Sequence, residues 1–302
     1  MAPRTDLLTI YRTALDAVEG RAATRRYLEA HPPGGDWHLV AVGKAATSMA
    51  LGALDALGDA VVDGLVICKH GHGDPELARA ARIAYRESDH PVPGQASLDA
   101  GRALVDYLDA APDDARFLVL GSGGASSLVE LLPDGCDLDW LRRLTDWLLA
   151  GGYDIGTMNR VRKAFSRIKG GRLRRWLRGR PALNLLISDV PGDDPAVVGS
   201  GLLVPDRGAA APLPDALPDW ARRHLRDGHR DADDGGAEVE TVLVARNADA
   251  RAAARNAAQA LGYAVRERDG ELDGDAAAAA RGIVADLAGG PAGLAIWGGE
   301  TT

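Results

Sequence analysis

Lys44 is the residue in this 302-residue sequence that most clearly suggests chemistry, and it lies in the stretch AVGKAATSMA at 41–50. Gly43 ends an apolar, strand-like run, and Lys44 opens a helical pattern. A helix N-terminus offers free backbone N–H groups and a positive dipole end, so it attracts anions. The lysine adds a full positive charge. The pattern therefore predicts a phosphate or carboxylate site, with a tight turn and a solvated lysine as the alternative.

A second anion-binding pattern lies in VLGSGGASSLVE at 119–130, where glycines and hydroxyl groups follow another apolar run. Consecutive N–H groups in such a loop form an anion nest, and glycine lets a ligand approach the backbone closely. We expect Ser122, Gly123, Gly124 and Ser126 to contact phosphate or carboxylate. A tight turn beneath a packed helix is the alternative. The spacing does not complete a dinucleotide fingerprint, because Ser126 stands where that fingerprint has glycine.

An acid-rich loop follows a third apolar run in LLISDVPGDDPAVVGSGLLVPD at 185–206. Asp189, at the tip of the predicted strand, could hold Mg²⁺ together with substrate phosphates, or could orient or deprotonate a hydroxyl. Asp193 and Asp194 fit turn and capping roles better, since Asp before proline is common in turns. We therefore predict that Asp189 is the ligand of this loop.

A basic segment runs over 159–180, with ten Lys or Arg residues and no acid in an otherwise acidic protein. The pattern predicts one helix at 158–178 that faces an anionic ligand or forms a basic surface patch. Its predicted site-facing residues are Asn159, Arg160, Lys163 and Lys169. The later arginines, Arg180 among them, are expected to be mostly solvated.

Short apolar runs alternate with helical patterns along the chain. The predicted strands are 37–42, 64–68, 82–86, 116–120, 183–188, 240–245, 263–267 and 293–297, and the predicted helices between them are 44–58, 96–110, 137–150, 158–178, 248–260 and 275–288. This alternation predicts a Rossmann-like α/β fold, with a mostly parallel sheet covered by helices on both faces. Ligands of such folds bind at the carboxyl ends of the strands. We expect one α/β domain over 1–235 and an incomplete second α/β domain over 236–302.

The amino-acid composition argues against several classes of protein. The net charge of −8 argues against a general nucleic-acid binder. Only two cysteines occur, which fits a reducing, cytoplasmic location better than a disulfide framework. No run of about 18 apolar residues predicts a membrane span. A homodimer is compatible with the sequence.

Seven motifs in order resemble the glycerate 2-kinase family, whose members have also been labelled hydroxypyruvate reductases. They are AVGKAATSMA, KHGHG, DHPVPG, GSGGASSL, MNRVRKAFSRIKGGRL, ISDVPGDDPAVVGSGLLVPD and WGGETT. The resemblance implies ATP-dependent phosphorylation of D-glycerate at its 2-hydroxyl with Mg²⁺, in a cleft between two α/β domains, the second of them of MOFRL type. It implies that glycerate and a nucleotide are the small-molecule partners.

The resemblance also implies residue roles. Lys44 would be catalytic, beside Gly43, and would neutralise the transferring phosphoryl group or bind the glycerate carboxylate. An anionic group would lie on Ser122, Gly123 and Gly124, and Asp189 would hold Mg²⁺ or orient the hydroxyl. The remaining cleft residues implied are Asn159, Arg160 and Lys163.

The sequence departs from the family pattern in three places. Ala164 stands where the family usually has His, and Leu202 and Leu203 follow Gly201 where it usually has Pro-Thr. The family also continues beyond GGETT, so we expect a truncated chain with little kinase activity of its own. The alternatives are an NAD(P)H-dependent hydroxypyruvate reductase and a non-catalytic ligand-binding fragment.

Overall fold

The computed structural model describes residues 3–205, 212–225, 236–268 and 272–301. The strands are β1 Trp37–Val42, β2 Val61–Lys69, β3 Ile83–Ser88, β4 Phe117–Gly121, β5 Ala182–Ile187, β6 Val239–Ala245, β7 Val265–Glu267 and β8 Leu294–Ile296. The helices are α1 Pro3–Val18, α2 Gly20–Ala30, α3 Ala46–Leu57, α4 Pro75–Arg79, α5 Gln95–Ala110, α6 Ala125–Leu128, α7 Leu138–Ala150, α8 Ile155–Phe165, α9 Arg174–Leu177, α10 Asp219–Arg222, α11 Asn247–Ala260 and α12 Ala276–Gly289. Every predicted strand overlaps an observed one.

The larger sheet is a doubly wound parallel sheet with the strand order β3-β2-β1-β4-β5-β6. The chain winds outwards in one direction from β1 and in the other from β4, so a crevice opens between the carboxyl ends of these two strands. Ligands bind in this crevice in folds of this class. The predicted Rossmann-like fold class is confirmed.

β6 lies beyond the predicted boundary between residues 235 and 236, and yet it pairs in parallel with β5. The larger sheet therefore takes strands from both predicted segments. β7 and β8 form a separate two-stranded parallel sheet. The helix α11 packs against this small sheet and against α1.

The core lies on both faces of the larger sheet, because neighbouring residues of a strand point to opposite sides. Val40 and Val42 of β1 belong to the cluster that includes α5, α6 and α9, whereas Leu39 and Ala41 belong to the cluster on the α3 side. The central strands β1, β4 and β5 are buried on both faces, which explains why they are apolar almost throughout.

The prediction of one helix over 158–178 is wrong. Helix α8 ends at Phe165, where the N–H of Ser166 donates to the carbonyls of Arg162 and Lys163. Gly171 then takes a positive φ of 83°. A Cβ at Gly171 would lie 2.7 Å from Pro205 Cα, so the chain turns there to pack against the loop after β5. The basic segment is therefore divided between α8, a turn and the short α9.

Arg180 is not solvated, which corrects the expectation for the later arginines. Only 5% of the residue is exposed, and its guanidinium donates to the carbonyls of Leu108, Ala111, Pro112, Trp176 and Leu177. It also lies 4.9 Å from the centroid of the Phe117 ring. Burial lowers the pKa of this guanidinium, and the neighbouring Arg178 lowers it further. Arg180 thus ties the end of α5 and the end of α9 to the start of β5.

Arg180→Met is expected to lower the free energy of unfolding by about 2–3 kcal/mol, because buried carbonyls lose a charged donor. Urea unfolding measures this loss. The matched control is Arg178→Met, since Arg178 is 59% exposed and pairs with Asp109 at the surface. We expect the control to change stability by less than about 1 kcal/mol. Equal losses in the two variants would contradict a structural role for Arg180.

Candidate active site

Three loops meet at the carboxyl edge of the larger sheet: 43–45 after β1, 122–124 after β4 and 188–195 after β5. They meet because β4 pairs with β1 on one side and with β5 on the other. This edge is the crevice defined by the strand order. The tertiary structure therefore brings together the three loops that the sequence singled out.

The backbone of Lys44 is held by a hydrogen bond, whereas its side chain is partly exposed. Its N–H donates to the carbonyl of Gly123 at 2.8 Å. Its Nζ lies 3.7 Å from Asp189 Oδ2, and the two side chains are 44% and 38% exposed. The ammonium therefore stands at the mouth of the crevice, where a ligand can reach it.

Ser122 joins the first two loops. Its hydroxyl accepts a hydrogen bond from the N–H of Ala45 at 3.0 Å, and only 3% of the residue is exposed. Gly43 packs directly against it with a φ of 139°, and a Cβ at Gly43 would overlap the Ser122 hydroxyl. In this arrangement Ser122 and Gly43 hold the Lys44 loop against the glycine-rich loop.

The glycine-rich loop presents its backbone to the crevice. Among the described residues, the N–H groups of Gly123 and Gly124 have no hydrogen-bond acceptor. Asp189 lies against Gly123 so closely that a Cβ there would overlap its carboxylate. Lys44, the two N–H groups and Asp189 thus form one cluster of complementary charges.

Other predicted site residues connect α6 and α8 to the loop after β5. The Ser200 hydroxyl donates to the Ser126 hydroxyl at 2.8 Å. Lys163 Nζ donates to the carbonyl of Ala196 at 3.0 Å. These contacts hold the 191–204 segment over the carboxyl edge of the sheet.

The remaining two predicted residues, Asn159 and Arg160, lie on α8. Arg160 donates to the Thr157 hydroxyl at 2.7 Å within its own helix. Among the described residues, no hydrogen bond or ion pair joins Asn159 or Arg160 to Lys44 or Asp189. Within the described residues, these two side chains therefore have no polar bond to the Lys44 cluster.

The carboxylates of Asp194 and Asp189, both in the third loop, have different surroundings. Asp194 Oδ1 accepts the N–H of Ala196 at 2.9 Å, so it shapes the turn. The described residues include no group of three or more His, Cys, Asp or Glu side chains that could hold a metal ion. One exposed carboxylate, that of Asp189, still fits Mg²⁺, which takes one or two protein carboxylates and draws other ligands from phosphates and water.

A family model matches residues 6–226, which carry all three loops, and its description is a domain of unknown function, DUF4147. The chain belongs to the DUF4147 family. The matched range includes strands β1 to β5, and so covers the whole Lys44 cluster. In the described part of this DUF4147 chain, no helix is both long and apolar enough to cross a membrane.

Two relatives of this DUF4147 chain match it over most of its length. A putative hydroxypyruvate reductase of Agrobacterium vitis is 33% identical over 286 residues, which are 91% of this chain and 64% of the relative. A glycerate 2-kinase of Pyrococcus horikoshii is 32% identical over 293 residues, 89% of this chain and 64% of the relative. The chain thus spans less than two thirds of the length of these relatives.

A solved structure is also similar. The crystal structure of a glycerate kinase from Thermotoga maritima superposes with a TM-score of 0.81 at 28% identity, covering 99% of this chain and 74% of that one. Together, the relatives and this structure confirm the resemblance that the seven motifs predicted.

Sequence reasoning missed His90, which lies in the loop after β3. Its ring stands next to Gly124: Cδ2 and Nε2 would lie 3.0 and 3.1 Å from a Cβ there, and Lys44 Cγ would lie 3.0 Å away. The motif DHPVPG lies just after the predicted strand 82–86, and this position was the available signal, because loops after parallel strands share the ligand-binding edge.

Sequence reasoning also missed a buried ion pair. Lys169, predicted to face the site, is fully buried and binds Glu130 Oε2, while Glu130 is 2% exposed. Ser166 donates its hydroxyl to Glu130 Oε1 at 2.6 Å. Burial lowers the pKa of the Lys169 ammonium, and the Glu130 carboxylate opposes that shift. Lys169 is therefore part of the core, and the prediction that it faces the site is wrong.

Proposed function

We propose that this chain is a glycerate 2-kinase, transferring the terminal phosphoryl group of ATP to the 2-hydroxyl of D-glycerate to give 2-phosphoglycerate. The observation that carries the proposal is the convergence of Lys44, the Gly123 and Gly124 N–H groups and Asp189 at one crevice. Relatives named glycerate 2-kinase in Pyrococcus horikoshii and Thermotoga maritima support it.

Phosphoryl transfer depends mainly on positioning and on neutralising the charge of the transferring group. In our proposal Lys44 supplies the positive charge, to the phosphoryl group or to the glycerate carboxylate. Gly123, Gly124, Ser122 and Ser126 hold an anionic group through N–H and hydroxyl donors. These fixed donors stabilise the transition state without needing to reorganise.

Asp189 would hold Mg²⁺ at the tip of β5. Bound with the nucleotide, the ion would neutralise phosphate oxygens and fix their geometry. We assign Asn159, Arg160 and Lys163 to the wall of the cleft. Lys163 has the most direct structural support, because it holds the loop that follows Asp189.

The remaining parts of the proposal concern the whole protein. We propose ATP and Mg²⁺ as its cofactors, glycerate and nucleotide as its ligands, and the cytoplasm as its location. Nucleic acid is not a proposed ligand, since the net charge is −8. A homodimer and the division at 235/236 into two α/β domains complete the proposal.

The test is incubation of the chain with ATP, Mg²⁺ and D-glycerate, with the product followed by ³¹P NMR. Because the chain spans 64% of the Pyrococcus horikoshii relative, the assay is also run on a version extended with that relative's C-terminal segment. In the extended version we expect a phosphate monoester on the 2-hydroxyl and one ADP for each product molecule, and much less product from the chain alone. Reactions without D-glycerate, and with EDTA in excess over Mg²⁺, are the controls. Product on the 3-hydroxyl, or ATP hydrolysis without transfer to glycerate, would contradict the assignment.

A hydroxypyruvate reductase is the second candidate, favoured by the name of the Agrobacterium vitis relative. It requires a nicotinamide dinucleotide, and the glycine-rich loop has Ser126 where the dinucleotide fingerprint has glycine. NADH titration with hydroxypyruvate separates the two activities, since only a reductase consumes NADH. Thermal stabilisation by ATP or glycerate without any turnover would instead favour a ligand-binding fragment.

A further inference from the structure

His90 lies in the same crevice as Lys44, although it comes from a different strand. β3 ends at Ser88, two residues before it. The imidazole and the Lys44 side chain flank Gly124, each with an atom 3.0 Å from the point where a Cβ would stand. Gly124 has no side chain and therefore lets the two groups approach the backbone of the glycine-rich loop.

The backbone on the N-terminal side of His90 is held firmly. The fully buried Ser88 donates its hydroxyl to the carbonyl of Leu128 at 2.7 Å. Asp89 Oδ2 accepts the N–H of Ala96 at 3.0 Å, at the start of α5. His90 is thus anchored to α6 and α5 and cannot swing away without breaking these bonds.

The imidazole ring of His90, unlike the neighbouring backbone, is not held by a hydrogen bond among the described residues. Among the described residues neither ring nitrogen of His90 has a hydrogen-bond partner, and Nδ1 is buried. A buried polar atom normally has a partner, which is a protein group, water or ligand. The imidazole is therefore positioned by packing, and Nε2, which stands next to Gly124, is the nitrogen that a ligand in the crevice would meet.

The titratable groups that face His90 from neighbouring elements are two lysines and a histidine. They are Lys44 from the loop after β1, Lys69 at the end of β2 and His72 from the loop after β2. Its neighbour Asp89 is engaged by the α5 N-terminus and lies 3.3 Å from His70 Nε2. Burial lowers the pKa of His90 most, and Lys44, Lys69 and His72 lower it further, which favours the neutral ring.

We propose that His90 is the general base of the phosphoryl transfer and accepts the proton of the substrate hydroxyl. This inference rests on the proposed function. The hydroxyl oxygen forms a bond to the terminal phosphorus of ATP, and the bond from that phosphorus to the bridging oxygen breaks. The hydroxyl proton moves to an imidazole nitrogen, and ADP leaves with the electron pair of the broken bond.

The assignment of His90 as the base also decides between the two roles that the sequence left open for Asp189, which are Mg²⁺ ligand and proton acceptor. Asp189 lies 3.7 Å from the Lys44 ammonium, so its negative charge already has a partner. We therefore assign Asp189 to the cation of the proposed Mg²⁺ site. His90, neutral and without a hydrogen bond, takes the proton.

The first test compares His90→Gln with the unchanged chain over pH 5–9. We expect kcat to fall about 100-fold, with a much smaller change in KM. The loss of kcat that imidazole protonation causes at low pH should disappear in the variant. His31→Gln is the matched control, because His31 is exposed at the end of α2 and should leave both quantities unchanged. An unchanged kcat in His90→Gln overturns the proposal.

A second measurement does not depend on turnover. In ¹⁵N-histidine NMR, D-glycerate should shift the His90 ring nitrogens more than 3-hydroxypropionate, which lacks the 2-hydroxyl. Equal shifts with the two acids overturn the contact. Absence of 2-phosphoglycerate from both the chain and its C-terminally extended version would refute the kinase function alone, and the NMR comparison would still decide whether His90 meets the hydroxyl.

Discussion

Lys44→Ala is expected to lower kcat for phosphoryl transfer to D-glycerate by about 10³-fold, because the transferring group loses its positive charge. The ammonium stands at the mouth of the crevice, 3.7 Å from Asp189, and its stem lies against Gly124 of the glycine-rich loop. Backbone N–H groups supply only partial positive charges. We therefore expect no other group of the described loops to replace the lysine.

Lys44→Met separates charge from packing. The Lys44 stem lies against Gly124, and methionine keeps most of that apolar contact while it removes the ammonium. Both variants should therefore lose activity to a similar extent, and neither should lower the melting temperature by more than a few degrees. Steady-state kinetics and thermal unfolding measure the two effects.

A binding measurement supports the kinetic one. Inorganic phosphate and ATP should raise the melting temperature of the unchanged chain, and they should stabilise the Lys44 variants less. Arg25→Ala is the control, since Arg25 is a 50% exposed cation on α2 that pairs with Glu29 in the same helix. Retention of full kcat by both Lys44 variants would contradict the catalytic role.

The second large effect concerns the buried pair of Glu130 and Lys169. Either Glu130→Gln or Lys169→Met is expected to lower the free energy of unfolding by about 3–5 kcal/mol, because each leaves a buried charge without its partner. Glutamine still offers an oxygen to the Ser166 hydroxyl and to the N–H of Leu131, which both donate to Glu130 Oε1. The loss in Glu130→Gln therefore reports mainly on the charge.

The double variant provides the decisive comparison. Glu130→Gln with Lys169→Met removes both charges, so we expect it to be more stable than either single variant. Urea unfolding gives the coupling energy, which should be well above about 0.5 kcal/mol for residues in contact. Asp59→Asn removes the exposed ion pair with Arg82 and should cost less than about 1 kcal/mol. Additive losses for Glu130 and Lys169 would contradict a coupled pair.

The sequence determined the strands and the residues at their carboxyl ends. The parallel sheet was predicted from apolar runs that are long enough for a strand and are separated by helical patterns. Lys44, the 121–124 glycines and Asp189 could be predicted because each directly follows such a run. Loops after parallel strands share one edge, so local order along the chain was enough to place these residues near each other.

Tertiary structure decided which side chains meet. Glu130 and Lys169 are 39 residues apart, and Arg180 binds carbonyls up to 72 residues away, so local pattern cannot pair them. The turn at Gly171 packs against Pro205, a contact between distant segments. His90 reaches Lys44 only because β2 and β3 lie on the β1 side of the sheet and Gly124 leaves room between them. Spacing in sequence fixes the direction of a side chain within its own element, but packing between elements sets the distance to its partner.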